Sequence, residues 1–303
     1  MTDQALQDRA IGCLLGLAVG DALGTTLEFS SRDAGPPLND MVGGGPFDLP
    51  AGTWTDDTAM ALALADSLIW RHQIDPTDLM NRFVNWWRWG AYSATGECFD
   101  IGITTSVALA KFENGGDPIA GATDPNSAGN GSLMRLAPVA IWGVHAGQQR
   151  MRETARLQSA TTHGAPQCLD ACEGYALILR AAILGALVED AMKAAPGIGN
   201  EVIGTILAGS WREQPRHAIR STGYVAHSLE AALWCVNETT DFRSAVLLAA
   251  NLGDDADTTA AITGQLAGAL YGAAAIPPEW RQKLAWHDEI VEKATALLEV
   301  PAS

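Results

Sequence analysis

The sequence predicts an all-α protein, a single compact multi-helix domain over residues 1–303. Three observations carry that expectation. Apolar residues recur at three- and four-residue spacings along most of the chain, as in Leu62, Leu64, Ala65, Leu68 and Ile69, while strict alternation is almost absent. No Pro- or Ser-rich linker and no internal repeat divides the sequence. At 303 residues, 48% apolar and 18% charged, the chain can bury a core without disulfide staples and is not disordered.

The elements follow in order. A first helix is expected over about 4–23, where Gly12, Gly16, Gly20 and Gly24 recur every four residues. Glycine costs a helix interior about 1 kcal/mol, so the row implies a closely packed partner. Gly264, Gly268 and Gly272 repeat the spacing late in the chain. Helices are next expected over about 58–72 behind Asp56, and over about 77–89 behind Asp75 and Pro76. Others are expected over about 101–112, 133–144, 150–160, a long 166–191, and 201–210. The last third reads as helices over about 224–236, 243–251, 257–271, 279–283 behind Pro277 and Pro278, and 288–298.

Composition excludes whole classes of function. Nineteen basic against 35 acidic residues give a net charge of −16, and the isoelectric point is near 4.6. A basic face for gripping nucleic acid or anionic lipid is therefore not expected. The apolar run 11–19 lies between Asp8, Arg9 and Asp21 and is too short to span a bilayer. The first residues lack the basic stretch of a signal peptide, so a cytoplasmic location is expected. Five scattered cysteines make no disulfide framework, and Cys168 and Cys172, four apart, read as buried thiols. The oligomeric state is not legible.

Two segments stand out. Trp54-Thr55-Asp56-Asp57-Thr58 and Gly253-Asp254-Asp255-Ala256-Asp257-Thr258-Thr259 each crowd carboxylates and hydroxyls at a predicted helix start. N-capping explains one or two such residues per start, but each start here carries four or more. Crowded carboxylates repel unless protonated or neutralised by a cation. Oxygen donors of this kind suit Mg²⁺, Mn²⁺ or Ca²⁺, whereas the six histidines show no zinc-ligand spacing. Metal site and elaborate cap both stay open at this point.

A third segment, Ser127-Ala128-Gly129-Asn130-Gly131-Ser132, precedes a predicted helix and reads either as an anion pocket of backbone N–H groups or as an ordinary turn. Arg135, one turn into that helix, reaches an anion or pairs with an acid. His163 reads as a loop histidine, Glu28 as solvated, and Asp100 as the cap of the helix after it. Trp86, Trp87 and Trp89 read as packing or as a cleft wall.

In order along the chain, these segments resemble the ADP-ribosylglycohydrolase family, which includes the dinitrogenase reductase-activating glycohydrolase and the animal ADP-ribosylarginine hydrolases. The resemblance runs through Gly16-Leu17-Ala18-Val19-Gly20-Asp21-Ala22-Leu23-Gly24, Glu28, the Thr55-Asp56-Asp57-Thr58 segment, Asp100-Ile101-Gly102 and Gly129-Asn130-Gly131-Ser132-Leu133-Met134-Arg135. It ends with Thr162-His163, Gly223-Tyr224 and the 253–258 segment. It implies an all-α fold around a central dinuclear site for two divalent cations, Mg²⁺ or Mn²⁺. Thr55, Asp56, Asp57, Asp255, Asp257 and Thr258 are the implied ligands. Glu28 and Asp100 are the implied catalytic carboxylates. The diphosphate of ADP-ribose would lie on Ser127, Gly129, Asn130, Gly131 and Ser132, with His163 nearby. Residues 86–99 depart from the animal enzymes, which bears on substrate choice. The implied activity is release of ADP-ribose from a modified protein or small molecule, foremost from arginine. Rival readings are hydrolysis of a serine- or other O-linked ADP-ribose, a two-metal nucleotide phosphohydrolase, and a non-catalytic ADP-ribose-binding protein.

Overall fold

The computed structural model describes residues 3–301, so the expected domain limits 1 and 303 lie outside the described residues. Its helices are α1 (Asp3–Gly24), α2 (Asp56–Arg71), α3 (Pro76–Trp89), α4 (Ile103–Gly115), α5 (Ala137–Ala146), α6 (Gln148–Thr162) and α7 (Pro166–Ile183). After them come α8 (Val188–Met192), α9 (Glu201–Leu207), α10 (Val225–Asn237), α11 (Phe242–Ala250), α12 (Ala256–Tyr271), α13 (Pro278–Lys283) and α14 (His287–Glu299). Among the described residues there is no strand, only three isolated bridges, two of which pin loops beside the cleft: Ala122 to His163 and Gly129 to Tyr224.

The centre is an antiparallel pair, α1 against α12. A methyl at Gly16 would drive into the Gly264 carbonyl, one at Gly20 into that of Ala260, and one at Gly12 into that of Gly268. The glycines let two backbones meet where any side chain would hold them apart, and that close packing offsets their cost inside a helix. Ala10 to Thr25 is buried almost throughout, as a helix apolar on every side must be. By length and composition α1, over Gln4–Leu27, matches a membrane span, but 83% of its apolar window is buried inside the protein. The apolar run seen in the sequence was thus only part of a longer helix, and the fold covers it with protein.

Helix ends follow local chemistry. Asp75 caps α3 by accepting from the backbone N–H of Thr77 (3.1 Å) and Asp78 (3.0 Å), with Pro76 in the first turn and Gly90 left-handed after the last. Three expectations need correction. The helix read over 133–144 begins at Ala137, because residues 130–135 make tight turns, Leu133 N–H bonding to Asn130 O at 2.8 Å. The long helix read over 166–191 ends at Ile183, where Gly185 turns left-handed at φ +91° and a short α8 follows. Asp100 caps nothing: it is left-handed itself, and α4 starts three residues later, at Ile103, with Gly102 as its N-cap.

Candidate active site

The first turns of α2 and α12 meet beside the C-terminal end of α1. Both acid-rich segments stand there, yet neither N-cap residue caps its helix: the side chains of Thr55 and Asp255 accept no hydrogen bond from the first turn. The caps come from α1 and the residues just after it. Asp21 Oδ1 accepts from the Thr55 N–H and hydroxyl, both at 2.9 Å, and Oδ2 from the Thr58 N–H (3.0 Å) and hydroxyl (2.6 Å). Glu28 Oε2 accepts from the Ala256 N–H at 2.7 Å and the Asp257 N–H at 3.4 Å. With Asp21 and Glu28 as caps, the local acids keep oxygens to spare, although Asp257 Oδ1 also accepts the Thr258 N–H at 2.7 Å, and a simple cap no longer accounts for these segments.

The two clusters then interlock. The Thr258 hydroxyl points to Asp57 Oδ2 at 3.3 Å, and Thr55 Oγ1 lies 3.4 Å from Asp257 Oδ2. One hydroxyl proton cannot serve two acceptors, and Thr55 gives its proton to the nearer Asp21, so Asp257 Oδ2 lacks a strong donor. Asp57 Oδ1 is buried with no partner. Oxygens of Glu28, Asp255 and Asp257 all lie within 4.8 Å of one another. Burial, and then the neighbouring carboxylates, raise Asp56, Asp57 and Asp257 well above the usual range. Glu28 rises to about 7 and Asp100 to about 6, again chiefly by burial. An all-oxygen cluster with orphaned lone pairs and mutual repulsion fits hard divalent cations.

These groups open into a cleft of about 680 Å³, a size suited to a nucleotide-like ligand. Glu28, Asp56, Asp100, Gly129, Asn130, Gly131, His163, Asp255, Asp257 and Thr258 line it. Thr55 and Asp57 sit behind that wall, buried within the cluster. Two residues of the glycine loop point elsewhere. Ser127 bonds to Asp124 O at 2.6 Å and faces an adjoining groove, and Ser132 bonds to Ser159 Oγ at 2.8 Å inside the core.

Asn130 instead reaches inward, donating to Asp255 Oδ2 at 2.7 Å and Ser228 Oγ at 2.8 Å. His163 is buried and held down to about 3 by burial and the nearby Arg135, so its imidazole is neutral. Its ring lies against the loop: a Cβ at Gly131 would stand 2.8 Å from His163 Cε1. Arg135 meets neither an anion nor an acid. It is buried over the Phe83 ring, bonding Gln158 Oε1 (2.9 Å), Gln158 O (2.8 Å) and the Thr162 hydroxyl (2.9 Å). Glu28, read as solvated, is 6% exposed. None of Trp86, Trp87 and Trp89 lines the cleft; its exposed aromatic is Phe29. Cys168 and Cys172 are free thiols buried behind the glycine loop.

An all-helical fold with this carboxylate cleft defines a class. Residues 2–303 match the ADP-ribosylglycohydrolase family, and the chain belongs to it, an enzyme of the glycosidic-bond hydrolase class. Among its relatives, ADP-ribosylarginine hydrolase Tri1 of Pseudomonas putida is 47% identical over 299 residues, 99% of this chain and 80% of that one. The ADP-ribosyl-[dinitrogen reductase] glycohydrolase of Rhodospirillum rubrum is 32% identical over 94% of this chain and 92% of its own. The solved structure of an ADP-ribosylglycohydrolase-related protein complex superposes with a TM-score of 0.87 at 39% identity, over 99% of this chain and 100% of that one.

Proposed function

We propose that this enzyme hydrolyses the N-glycosidic bond between C1″ of ADP-ribose and the guanidine of a modified arginine. The observation that carries the reading is the pair of trans-capped helix starts, which turns uncommitted oxygens of α2 and α12 toward one cleft. Relatives named as arginine hydrolases at 46–47% identity support the choice of acceptor.

Thr55, Asp56, Asp57, Asp255, Asp257 and Thr258 would hold two divalent cations, Mg²⁺ or Mn²⁺. When bound, these supply Lewis-acid orientation of the ribose hydroxyls and a more acidic water. The chain does the rest. Asn130 fixes the Asp255 carboxylate. The loop at Gly129 and Gly131, packed on the neutral His163, lines the part of the cleft where the diphosphate would lie. Glu28, one oxygen pinned by the Ala256 N–H, takes the proton of the attacking water at the other. Asp100 lies near Glu28 and Asp255 and stabilises the positive charge growing at C1″. An arginine-linked guanidinium carries its own proton and departs as neutral guanidine, so the site needs no separate acid.

The test offers arginine-linked and serine-linked ADP-ribosyl peptides with Mn²⁺ or Mg²⁺ and identifies products by mass spectrometry. Intact ADP-ribose and unmodified arginine are expected, and Asp257→Ala should abolish both turnover and high-affinity Mn²⁺ uptake. Phosphate or AMP release would instead mark a phosphohydrolase, and binding without product a non-catalytic protein.

A further inference from the structure

Of the eight non-glycine residues with positive φ among the described residues, three line this cleft: Phe29 (59°), Asp100 (59°) and Asp254 (56°). A left-handed backbone costs an L residue about 1 kcal/mol or more, and it is least suited to a bulky side chain such as phenylalanine. Phe29 is also 68% exposed, so it gives up burial as well. Backbone and side chain are both placed against local preference, a pattern that points to use rather than packing.

The surroundings hold it there. Phe29 N–H bonds to Asp254 O, and Asp254 N–H to Ser30 O, each at 2.8 Å. Arg32 ties the same loop to Leu252 O (2.9 Å) and Ile219 O (2.6 Å). The Phe29 ring meets Phe47 edgewise at 6.3 Å, and Phe47 meets Phe99 at 5.3 Å, which supports the ring on one side. Asp254 stands exposed at the cleft edge. No lysine or arginine among the described residues lines the cleft. Arg32 lies near Asp254 but outside the lining, its guanidinium donating to the Leu252, Arg216 and Ile219 carbonyls. An aromatic face beside a carboxylate, with no cation in the lining, is a binder of planar cations.

We propose that Phe29 and Asp254 form the acceptor subsite, in which the guanidinium of the modified arginine stacks on the ring and pairs with the carboxylate. This rests on the arginine reading above and adds how the acceptor is told apart: a serine-linked substrate offers neither the plane nor the charge.

Steady-state kinetics with both peptides test it. Phe29→Ala and Phe29→Leu should raise KM for the arginine-linked peptide about fivefold, the size of a cation–π contact at an exposed ring. Phe29→Tyr should restore it. Asp254→Asn should raise the same KM about fivefold at low salt and less at high salt. In all of these, kcat, the inhibition constant of the serine-linked peptide, inhibition by free ADP-ribose and Mn²⁺ affinity should stay within about twofold. Phe29→Gly separates use from structure: it removes the strain, so the melting temperature should hold while the arginine KM rises. A fallen melting temperature with an unmoved KM would make Phe29 merely structural and overturn the proposal. So would an equal weakening of both peptides, read as KM for the arginine-linked and as inhibition constant for the serine-linked one, or none for either. Should the wild type cleave no arginine-linked peptide, the proposed function fails. Titration of that peptide and of ADP-ribose in Mn²⁺ then decides the subsite alone: tighter peptide binding lost in Phe29→Ala supports it, and equal affinity overturns it.

Discussion

Asp21 shows how a single carboxylate can build a site it does not line. It accepts four hydrogen bonds from Thr55 and Thr58, and burial raises it to about 6. Asp21→Ala would strand two backbone N–H groups and two hydroxyls, at a cost of about 3 kcal/mol. Urea unfolding should show that loss, and isothermal titration a weakened Mn²⁺ uptake, because Thr55 would no longer be held. Unchanged values of both would contradict this role. The two acid-rich segments themselves were legible, since each lies within a few consecutive residues at a helix start. Asp21 and Glu28 were noticed without the capping role, because a cap supplied from another helix leaves no local spacing to read. Phe29 was missed outright. It follows Glu28 and precedes Ser30 and Ser31, outside any apolar periodicity, and only its backbone angle and exposure mark it.

At the scale of elements, the glycine rows were the most informative signal in the chain. They called for a close partner, and α1 and α12 supply it to each other. Gly264→Ala should be among the most damaging single methyls in the protein, because its Cβ would overlap the Gly16 carbonyl and neither backbone can yield. A loss of about 3 kcal/mol is expected from chemical denaturation. Gly35→Ala, with nothing within 4 Å of its Cβ, should cost little. Helix ends were read less well, for identifiable reasons. Gly185 sits in an apolar run that looks helical until its left-handed turn is seen. Leu133, Met134 and Arg135 look helical too, but they fold in tight turns that carry Arg135 into the core.

For the whole molecule, fold class was legible because helical periodicity is local, and the family because its segments recur in order. Acid clustering marked the site without deciding between metal and cap. The −16 charge of the sequence is uneven in its consequences. Most acids lie at the surface, whereas those of the cleft repel one another. Glu28 at about 7, and Asp100 and Asp21 at about 6, all hold protons more tightly in the folded state. That stabilisation is complete at pH below their unfolded values and is lost as pH climbs toward 7. His163, pushed to about 3, acts the other way, withdrawing stability as pH falls below about 6.5. A thermal-shift series in EDTA should therefore show the melting temperature falling between about pH 5 and 8. The rise on adding Mn²⁺ should be larger at pH 8 than at pH 5, since protons and cations compete for the same oxygens. Equal rises at both would argue against cation binding by these carboxylates.

The antiparallel embrace of α1 and α12 also has a consequence in time. Synthesis delivers Gly24 long before Ala256, the first residue of its partner helix. At roughly 5–20 residues per second, the wait is roughly ten to fifty seconds. Throughout it, a helix apolar enough to resemble a bilayer span lacks the partner that covers the largest part of it. We therefore expect the nascent chain to need holdase chaperones at the ribosome more than its finished surface would suggest. A depleted holdase should send newly made chains, but not mature ones, into aggregates.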